Sequence, residues 1–294
     1  MILHKQIQQN KWKTVLLVGL FVVFLLLVGS IVTYTQTGDW LSGLIIAGVI
    51  GLIYSIIMIA SSTKIVMSMN GAIEVTEPQQ YAFLWHTIEN LSMVARIPRP
   101  KIYLIDDPSP NAFATGISPE NAAVAVTTGL LEILNREEIE GVIAHEIAHI
   151  KNYDIRLTTI VLALVSVVAL LSSIGSRFMF FSSGNNRNDQ KQNPILLIVS
   201  LLLLILSPII ATYIQLAISR NREYLADASG AELCRNPLAL ASALRKIAGI
   251  DLPVRSANPS SAMLYFSDPF KKKIQTLFST HPPVEERISR LEQM

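Results

Sequence analysis

The chain has 294 residues, of which 51% are hydrophobic and 16% are charged, and its formal net charge is +2. A soluble domain carries nearer a quarter charged residues, so the composition indicates a membrane protein before any segment is inspected. The small net charge gives no sign of a nucleic-acid partner, and the single cysteine, Cys234, excludes a disulfide-stabilised secreted fold and a zinc site built from cysteines.

Four apolar runs divide the chain. The first two, Thr14 to Tyr34 and Trp40 to Ala60, carry no charge and reach the length of about 20 helical residues that crosses a bilayer. The third, Leu157 to Ile174, is shorter, and Pro208 should kink the fourth, Pro194 to Tyr213. We expect the first pair to span as an uncleaved anchor hairpin, whereas the second pair is either a spanning hairpin or a buried, half-inserted one.

The lysine and arginine residues predict the orientation. Lysines precede the first run and Lys64 follows the second, whereas the loop from Thr35 to Asp39 has neither lysine nor arginine. Both ends of the first hairpin are therefore expected in the cytoplasm. The predicted organisation is a transmembrane hairpin at 1–62, a first catalytic part at 63–156, a second hairpin at 157–214 with a polar loop at 175–193, and a second catalytic part at 215–294.

The soluble parts predict a mixture of helix and strand. The predicted elements are a helix at 77–95, strands at 101–105 and 122–126, a helix that begins at Asn135, and a helix at 234–249. The helix at Asn135 begins with a capping box, because Glu138 follows three residues later. Within the second strand, Val124-Ala125-Val126 is a candidate edge that could pair with an extended substrate.

The helix that begins at Asn135 carries the sequence His145-Glu146-Ile147-Ala148-His149. Histidines four residues apart lie on one face of a helix, about a turn apart, so both imidazoles can reach one zinc ion. Glu146, beside the first histidine, is placed to take a proton from the attacking water. This HExxH pattern is typical of zinc peptidases, and the alternative is a pair of core or surface histidines.

A catalytic zinc site has three protein ligands and an open position, so a third ligand is required. Asp154 is near in sequence but should lie further along the same helix. Glu223 is the better candidate, because it lies four residues before Asp227 on a predicted helix, and Asp227 could then accept a hydrogen bond from a ligand imidazole. The alternative is a solvated, charged helix start. Two apolar runs separate His149 from Glu223, and two crossings return the chain to the same side of the membrane.

These motifs together resemble the HtpX-type membrane metallopeptidases, which are kin to the CAAX prenyl endopeptidases. The matching segments are Pro110-Asn111-Ala112-Phe113-Ala114-Thr115-Gly116, Val126-Thr127-Thr128-Gly129-Leu130-Leu131, the HExxH motif, Arg222-Glu223-Tyr224-Leu225-Ala226-Asp227 and Thr280-His281-Pro282-Pro283. The resemblance implies one zinc ion held by His145, His149 and Glu223, with Glu146 as general base and proton shuttle. It also implies polypeptide substrates that are membrane proteins, often misfolded ones, in envelope quality control and the stress response.

The predicted fold is mostly α and membrane-integrated, with four hydrophobic helices and a cytoplasmic α+β, zincin-like catalytic domain that contains a small β-sheet. The protein is expected in the cytoplasmic (inner) membrane, where the lipid bilayer and its polypeptide substrates are its partners. Two further residues have two interpretations each. His281 either hydrogen-bonds the tetrahedral oxyanion or is a loop histidine in a proline-fixed turn. Asn111 either places the substrate backbone near the zinc or shapes the turn after Pro110.

Three rival functions stay open. A CAAX-type processing enzyme with a narrow, prenylated substrate would need a large intramembrane chamber, for which four apolar runs are few. A non-catalytic scaffold or chaperone that keeps zinc for folding would not need Glu146. A metal transporter should hold its ligands within spans at mid-membrane depth, whereas His145 precedes the third run.

Overall fold

The computed structural model describes residues 2–160, 162, 221–257, 261–270 and 281–294. The chain divides into two compact units. The described residues of the first unit come mainly from 61–160 and from 221 onward, and those of the second come mainly from Trp12–Ala60. The predicted second hairpin at 157–214, with its polar loop at 175–193, falls almost wholly outside the described residues, so its spanning stays a prediction.

Two long apolar helices supply the described part of the second unit, and their outer ends, residues 2–11 and 61–69, belong to the first unit. Helix α1 is Ile2–Thr37 and helix α2 is Trp40–Met69, and the chain turns between them at Gly38 with a φ of 77°. The helices approach closely through small residues, since a Cβ on Gly29 would collide with Ala47. Among the described residues, one helical stretch, Trp40–Ile57, is long and apolar enough to cross a membrane, and only 11% of it is buried.

A four-stranded mixed sheet lies in the first unit. Its order is β1-β2-β4-β3, where β1 is Ile73–Glu74, β2 is Lys101–Ile105, β3 is Ala112–Thr115 and β4 is Ala123–Thr127. Strand β4 runs parallel to β2, with Val126 opposite Leu104, and antiparallel to β3, with Val124 opposite Ala114. The strand predicted at 101–105 is confirmed, and the strand predicted at 122–126 is confirmed with a shift of one residue.

The position of β4 corrects one prediction. This strand lies between β2 and β3 and is buried along its whole length, so its backbone groups are already paired and Val124-Ala125-Val126 is not an edge. The edge beside the helices is β3, which was not predicted as a strand from the sequence. The position of a strand within a sheet depends on its pairing with distant segments, and strand propensity alone does not predict that position.

Helices of the first unit pack against the sheet and against each other. They are α3, Ala82–Ala95; α4, Thr128–Ile133; α5, Arg136–Lys151; α6, Asn221–Cys234; α7, Pro237–Gly249; and α8, Val284–Glu292. The helix predicted at 77–95 is a 3-10 turn, Pro78–Tyr81, followed by α3. The helical region predicted at 234–249 is interrupted, because Arg235 takes a positive φ of 53° and α7 begins afresh beyond it. The expected mostly helical fold with a small sheet is confirmed.

Helix α5 carries the HExxH motif and is buried along most of its length. The predicted capping box is present, because Asn135 Oδ1 accepts the Glu138 N–H at 2.9 Å and Glu138 Oε2 accepts the Asn135 N–H at 2.8 Å. Helix α6 approaches it so closely that a Cβ on Gly230 would lie 2.9 Å from His145 Cα. That approach brings the acidic residues of α6 to the HExxH face.

Candidate metal centre

Three side chains from two helices converge on one point. The Nε2 atoms of His145 and His149 on α5 lie 3.1 Å apart. From α6, Glu223 places Oε1 3.5 Å from His149 Nε2 and Oε2 3.8 Å from His145 Nε2. One nitrogen or oxygen from each residue therefore lies within 4.8 Å of the other two. The predicted ligand residues are brought together.

These distances fit a tetrahedral metal ion. With metal–nitrogen and metal–oxygen distances near those of zinc, neighbouring ligand atoms are separated by about 3.3 Å, close to the three distances observed. Two imidazoles and one carboxylate are also a donor set typical of catalytic zinc. Histidine binds a metal only through an unprotonated ring nitrogen, and burial lowers the pKa of His145 to about 4, which keeps that imidazole neutral.

The electrostatics of the site favour positive charge at its centre. Burial is the largest influence on the pKa of His149 and lowers it, but the Asp154 hydrogen bond and the Glu223 charge outweigh burial and raise the pKa to about 9. Burial likewise opposes ionisation of Glu223, yet His281 and His149 hold the pKa of that carboxyl well below its usual value. A carboxylate that stays ionised and attracts a cation suits metal binding.

Asp227 contacts His145, one of the two candidate ligand imidazoles. Its Oδ1 lies 2.9 Å from His145 Nδ1, on the side of the ring away from the convergence point. The Arg287 guanidinium on α8 makes two hydrogen bonds to the same carboxylate, at 2.7 and 2.8 Å. Burial alone would raise the pKa of Asp227, but Arg287 lowers it to about 2. The imidazole is therefore held by a carboxylate that is itself fixed.

Asp154 supports His149 in the same way, which corrects its predicted position. It does not continue the HExxH helix, because α5 ends at Lys151 and Tyr153 adopts a left-handed φ of 59°. The chain turns back there and places Asp154 Oδ2 3.1 Å from His149 Nδ1. Both metal-facing imidazoles thus have a carboxylate on their outer nitrogen.

Glu146 is buried beside the convergence point and lines the same pocket. Burial raises its pKa to about 7, in part opposed by the charge of His149 and by a hydrogen bond from the Ala114 N–H on β3. Its Oε1 atom accepts no hydrogen bond from any residue of the described chain. A carboxylate with one uncommitted oxygen and a pKa near neutrality is suited to accept and return a proton.

His281 and Asn111, the residues with two interpretations, lie in different settings. His281 Nδ1 is 3.1 Å from Glu223 Oε2, so it contacts a ligand carboxylate. Asn111 is fully buried, and its amide bonds to the backbone of Ala112 and Ser267. That bonding favours the turn-shaping interpretation of Asn111. The geometry tests neither the predicted contact of His281 with the oxyanion nor the predicted contact of Asn111 with the substrate backbone.

The pocket in front of these residues has a mixed lining. Charged groups of α5 and α6 form one side, and Ala114 of β3 adds to it. Apolar and aromatic side chains of Met263, Leu264, Tyr265 and Phe266 form another. The Phe266 ring lies edge-on to His145, with centroids 5.0 Å apart. A peptide carbonyl could meet the charged side while a side chain meets the apolar one.

Arg287 and this apolar segment were missed by sequence reasoning. Arg287 is 60 residues from Asp227, and nothing in its local spacing marks it as buried. A weak signal was its position six residues after His281, on a short helix whose apolar residues face inward. An arginine that is 1% exposed among acidic residues is visible only once the helices are packed.

Comparison with known proteins bears on the whole chain. The model of Peptidase family M48 matches residues 78–294. The protease HtpX homologs of Listeria monocytogenes serotype 4a (strain HCC23) and Leuconostoc mesenteroides subsp. mesenteroides are 53% and 55% identical, and each match covers 99% of this chain and 100% of the relative. The crystal structure of S. mikatae Ste24p has a TM-score of 0.51 and 21% identity, and covers 99% of this chain and 66% of that chain. At that identity the likeness concerns the fold alone.

Proposed function

The chain belongs to peptidase family M48, and on that premise we propose that it is a zinc endopeptidase of the cell membrane that cleaves membrane proteins, misfolded ones among them, on the cytoplasmic side. Its class, a membrane-associated metalloprotease, follows from the family and from full-length relatives named HtpX proteases. The zinc, the side of the membrane, the substrates and a role in envelope stress are the proposed parts. One observation carries the zinc and the hydrolysis: His145, His149 and Glu223 converge beside a buried Glu146. The lysine pattern supports the cytoplasmic side, and the resemblance to HtpX proteases supports the substrates and the stress role.

His145, His149 and Glu223 would hold the zinc, and Asp227 and Asp154 would orient the two imidazoles. When bound, zinc polarises the scissile carbonyl and lowers the pKa of the attacking water towards about 7. His281 would steady Glu223 through the contact between them. The contact of the same ring with the oxyanion stays a prediction.

Glu146 moves the proton in the proposed reaction. Its uncommitted oxygen takes a proton from the attacking water while the new carbon–oxygen bond forms. The same carboxyl then gives the proton to the amide nitrogen as the carbon–nitrogen bond breaks. Atoms balance with one water consumed, and no covalent intermediate with the protein is needed.

The substrate backbone is proposed to lie beside β3. Ala114 is the residue of this edge strand that lines the pocket, and its N–H already points to Glu146. An extended peptide beside Ala114 would present its carbonyl to the metal and a side chain to the adjoining apolar segment, whose Phe266 N–H already bonds to the Ala112 carbonyl of β3.

The test is cleavage of unfolded casein by the purified, detergent-solubilised protein, with zinc restored after chelation. We expect the wild type to cleave only with zinc, and Glu146→Gln to keep its zinc but lose cleavage by about 1,000-fold or more. Glu140→Gln is the matched control, because Glu140 is an exposed glutamate on the same helix. It should leave cleavage unchanged.

The rival functions make different forecasts in the same experiment. If wild type and Glu146→Gln both bind zinc and neither cleaves, a non-catalytic scaffold or a narrow-substrate CAAX-type enzyme is favoured. A transporter should tolerate Glu146→Gln. Its ligands should also lie in spans, whereas His145 and His149 lie on α5, which has charged residues in its first and last turns.

A further inference from the structure

A buried amide connects the end of α2 to the wall of the metal pocket. Asn70 directly follows this helix and has no exposed surface. Its Nδ2 donates to the Val66 carbonyl at 2.8 Å, and its Oδ1 accepts the hydroxyls of Ser261 at 2.8 Å and Tyr265 at 3.1 Å. Since a carbonyl can only accept and the hydroxyls need an acceptor, these partners fix the orientation of the amide.

Both hydroxyls belong to the segment that lines the pocket, which we call the wall segment, residues 261–266. Its four residues from Met263 to Phe266 face the pocket. Its far end is fixed to β3, because the Phe266 N–H donates to the Ala112 carbonyl at 2.8 Å. Ser261 attaches its near end to Asn70, which is 191 residues away in sequence, and Tyr265, beside its far end, bonds to the same amide. Local structure cannot supply such an anchor.

We propose that Asn70 is a positioning residue that holds the wall segment in place and thereby sets a preference for an apolar substrate side chain beside the scissile bond. The wall offers Met263, Leu264 and Phe266 to that side chain. Without the Asn70 carbonyl, two buried hydroxyls would lose an acceptor, and the segment would shift to find another. The inference rests on the proposed function, because it concerns the selectivity of the same site.

The experiment uses the full-length holoenzyme in detergent and two matched peptides that differ only by Leu or Ala next to the scissile bond. For Asn70→Ala we expect KM for the Leu peptide to rise by about tenfold, with kcat changed by less than about twofold. The Leu-over-Ala preference in kcat/KM should fall by a similar factor. Zinc content should stay at the wild-type value, and amide hydrogen exchange at 261–266 should accelerate.

Two further variants isolate the contacts. Ser261→Ala and Tyr265→Phe each remove one hydroxyl, and each should reproduce part of the Asn70→Ala change. Combined with Asn70→Ala, neither should add to it, because the contact is already lost. Ser92→Ala is the matched control, since the Ser92 hydroxyl is equally buried and donates to the Ile88 carbonyl at 2.6 Å within α3. It should lower stability without changing KM or preference.

Three outcomes overturn the proposal. One is an Asn70→Ala protein of lower thermal stability whose KM and Leu-over-Ala preference match the wild type. A second is additivity of the effects of Asn70→Ala and Tyr265→Phe. If Asn70→Ala does not fold, Ser261→Ala and Tyr265→Phe decide instead, and wild-type KM and preference in both would overturn the proposal. The third is unchanged hydrogen exchange at 261–266. If the wild type cleaves neither the peptides nor casein, the proposed function fails, and the exchange measurement alone then decides whether Asn70 anchors the wall.

Discussion

Buried charges at the candidate metal centre are arranged in pairs, and their order from the convergence point outward is regular. Each imidazole has a carboxylate behind it, and the Asp227 carboxylate has Arg287 behind it. A buried charge without a partner is costly, so each member of such a chain depends on the next. The geometry of the ligands is therefore set by residues that do not face the metal.

This dependence predicts the effect of the two supporting aspartates. Asp154→Asn and Asp227→Asn keep the shape of the side chain but remove its charge, so each should weaken zinc binding by about 10- to 100-fold. The measurement is zinc affinity by competition with a chromophoric chelator. Asp106→Asn is the control, because Asp106 is exposed and outside the pocket. Equal affinity for all three variants would contradict the assigned supporting roles.

At this scale the sequence predicted the residues whose relation is local. His145 with His149, and Glu223 with Asp227, are four apart on helices, and helical geometry alone places each pair on one face. Arg287 and the position of Asp154 could not be predicted. The burial of Arg287 depends on packing between segments 60 residues apart. The position of Asp154 depends on a left-handed turn at Tyr153, a residue type that seldom adopts that conformation.

Helices α5 and α6 form the metal centre because they approach closely at Gly230. Gly230→Ala would place a Cβ 2.9 Å from both the Cα and the N of His145, and backbone cannot move aside as a side chain can. We expect a loss of about 1–3 kcal/mol in stability and a weaker zinc site, because Glu223 shifts away from the imidazoles. Thermal unfolding with and without zinc would measure both effects.

Gly249→Ala is the control for this prediction. Gly249 ends α7, and a Cβ there would meet nothing within 4 Å. The substitution should be neutral or stabilise by up to about 1 kcal/mol, since alanine restricts the unfolded chain. Equal unfolding temperatures for Gly230→Ala and the wild type would contradict this prediction, because α5 and α6 would then have space for the added Cβ.

The start of α5 predicts a pH dependence. Glu138 is buried; burial raises its pKa, but hydrogen bonds from Lys246, the Asn135 N–H and Ser242 outweigh burial and lower it below the usual 4.5. A lowered pKa means that its contribution to stability is present above pH 4.5 and is lost as the pH falls through the folded-state pKa.

Glu138→Gln should therefore be less stable than the wild type at pH 7, by about 1–3 kcal/mol, and the difference should shrink below pH 4.5. Unfolding temperatures of both proteins between pH 7 and pH 3 would measure this. Glu137→Gln is the control, because Glu137 is the exposed neighbour on the same turn. A difference between wild type and Glu138→Gln that stays constant with pH would contradict the assignment.

Elements with strong local signals were predictable, and their arrangement was not. The capping box at Asn135 marked the start of α5, and the strand at 101–105 was marked by a short apolar run that ends at Asp106-Asp107-Pro108. Strand β3 escaped prediction because Ala112–Thr115 is four residues long and is buried on both faces, so it shows no alternation. The central position of β4 follows from its pairing on both sides, which the pattern of one strand does not contain.

On the scale of the whole molecule, apolar helices and a buried charged centre belong to one chain. The aliphatic side chains of α2 are exposed over Trp40–Ile57, which is the reverse of a soluble core helix and is expected of a surface that meets lipid. In a bilayer, lipid covers such a surface, so no partner protein is needed to bury it. The distribution of lysines predicts that the loop near Gly38 lies on the outer side and that the candidate metal centre lies in the cytoplasm.

Cysteine labelling tests that assignment in a background with Cys234→Ser, which removes the native thiol. Thr37→Cys is the exposed last residue of α1, beside the turn to α2, and His86→Cys lies on the exposed surface of α3, where the side chain is 64% exposed. A membrane-impermeant maleimide should label Thr37→Cys in intact cells, and His86→Cys only after permeabilisation. The reverse pattern would invert the orientation and place the proposed cleavage outside the cytoplasm. Labelling of both only after permeabilisation would mean that the first hairpin does not cross the membrane, since its turn could not otherwise remain on the inner side.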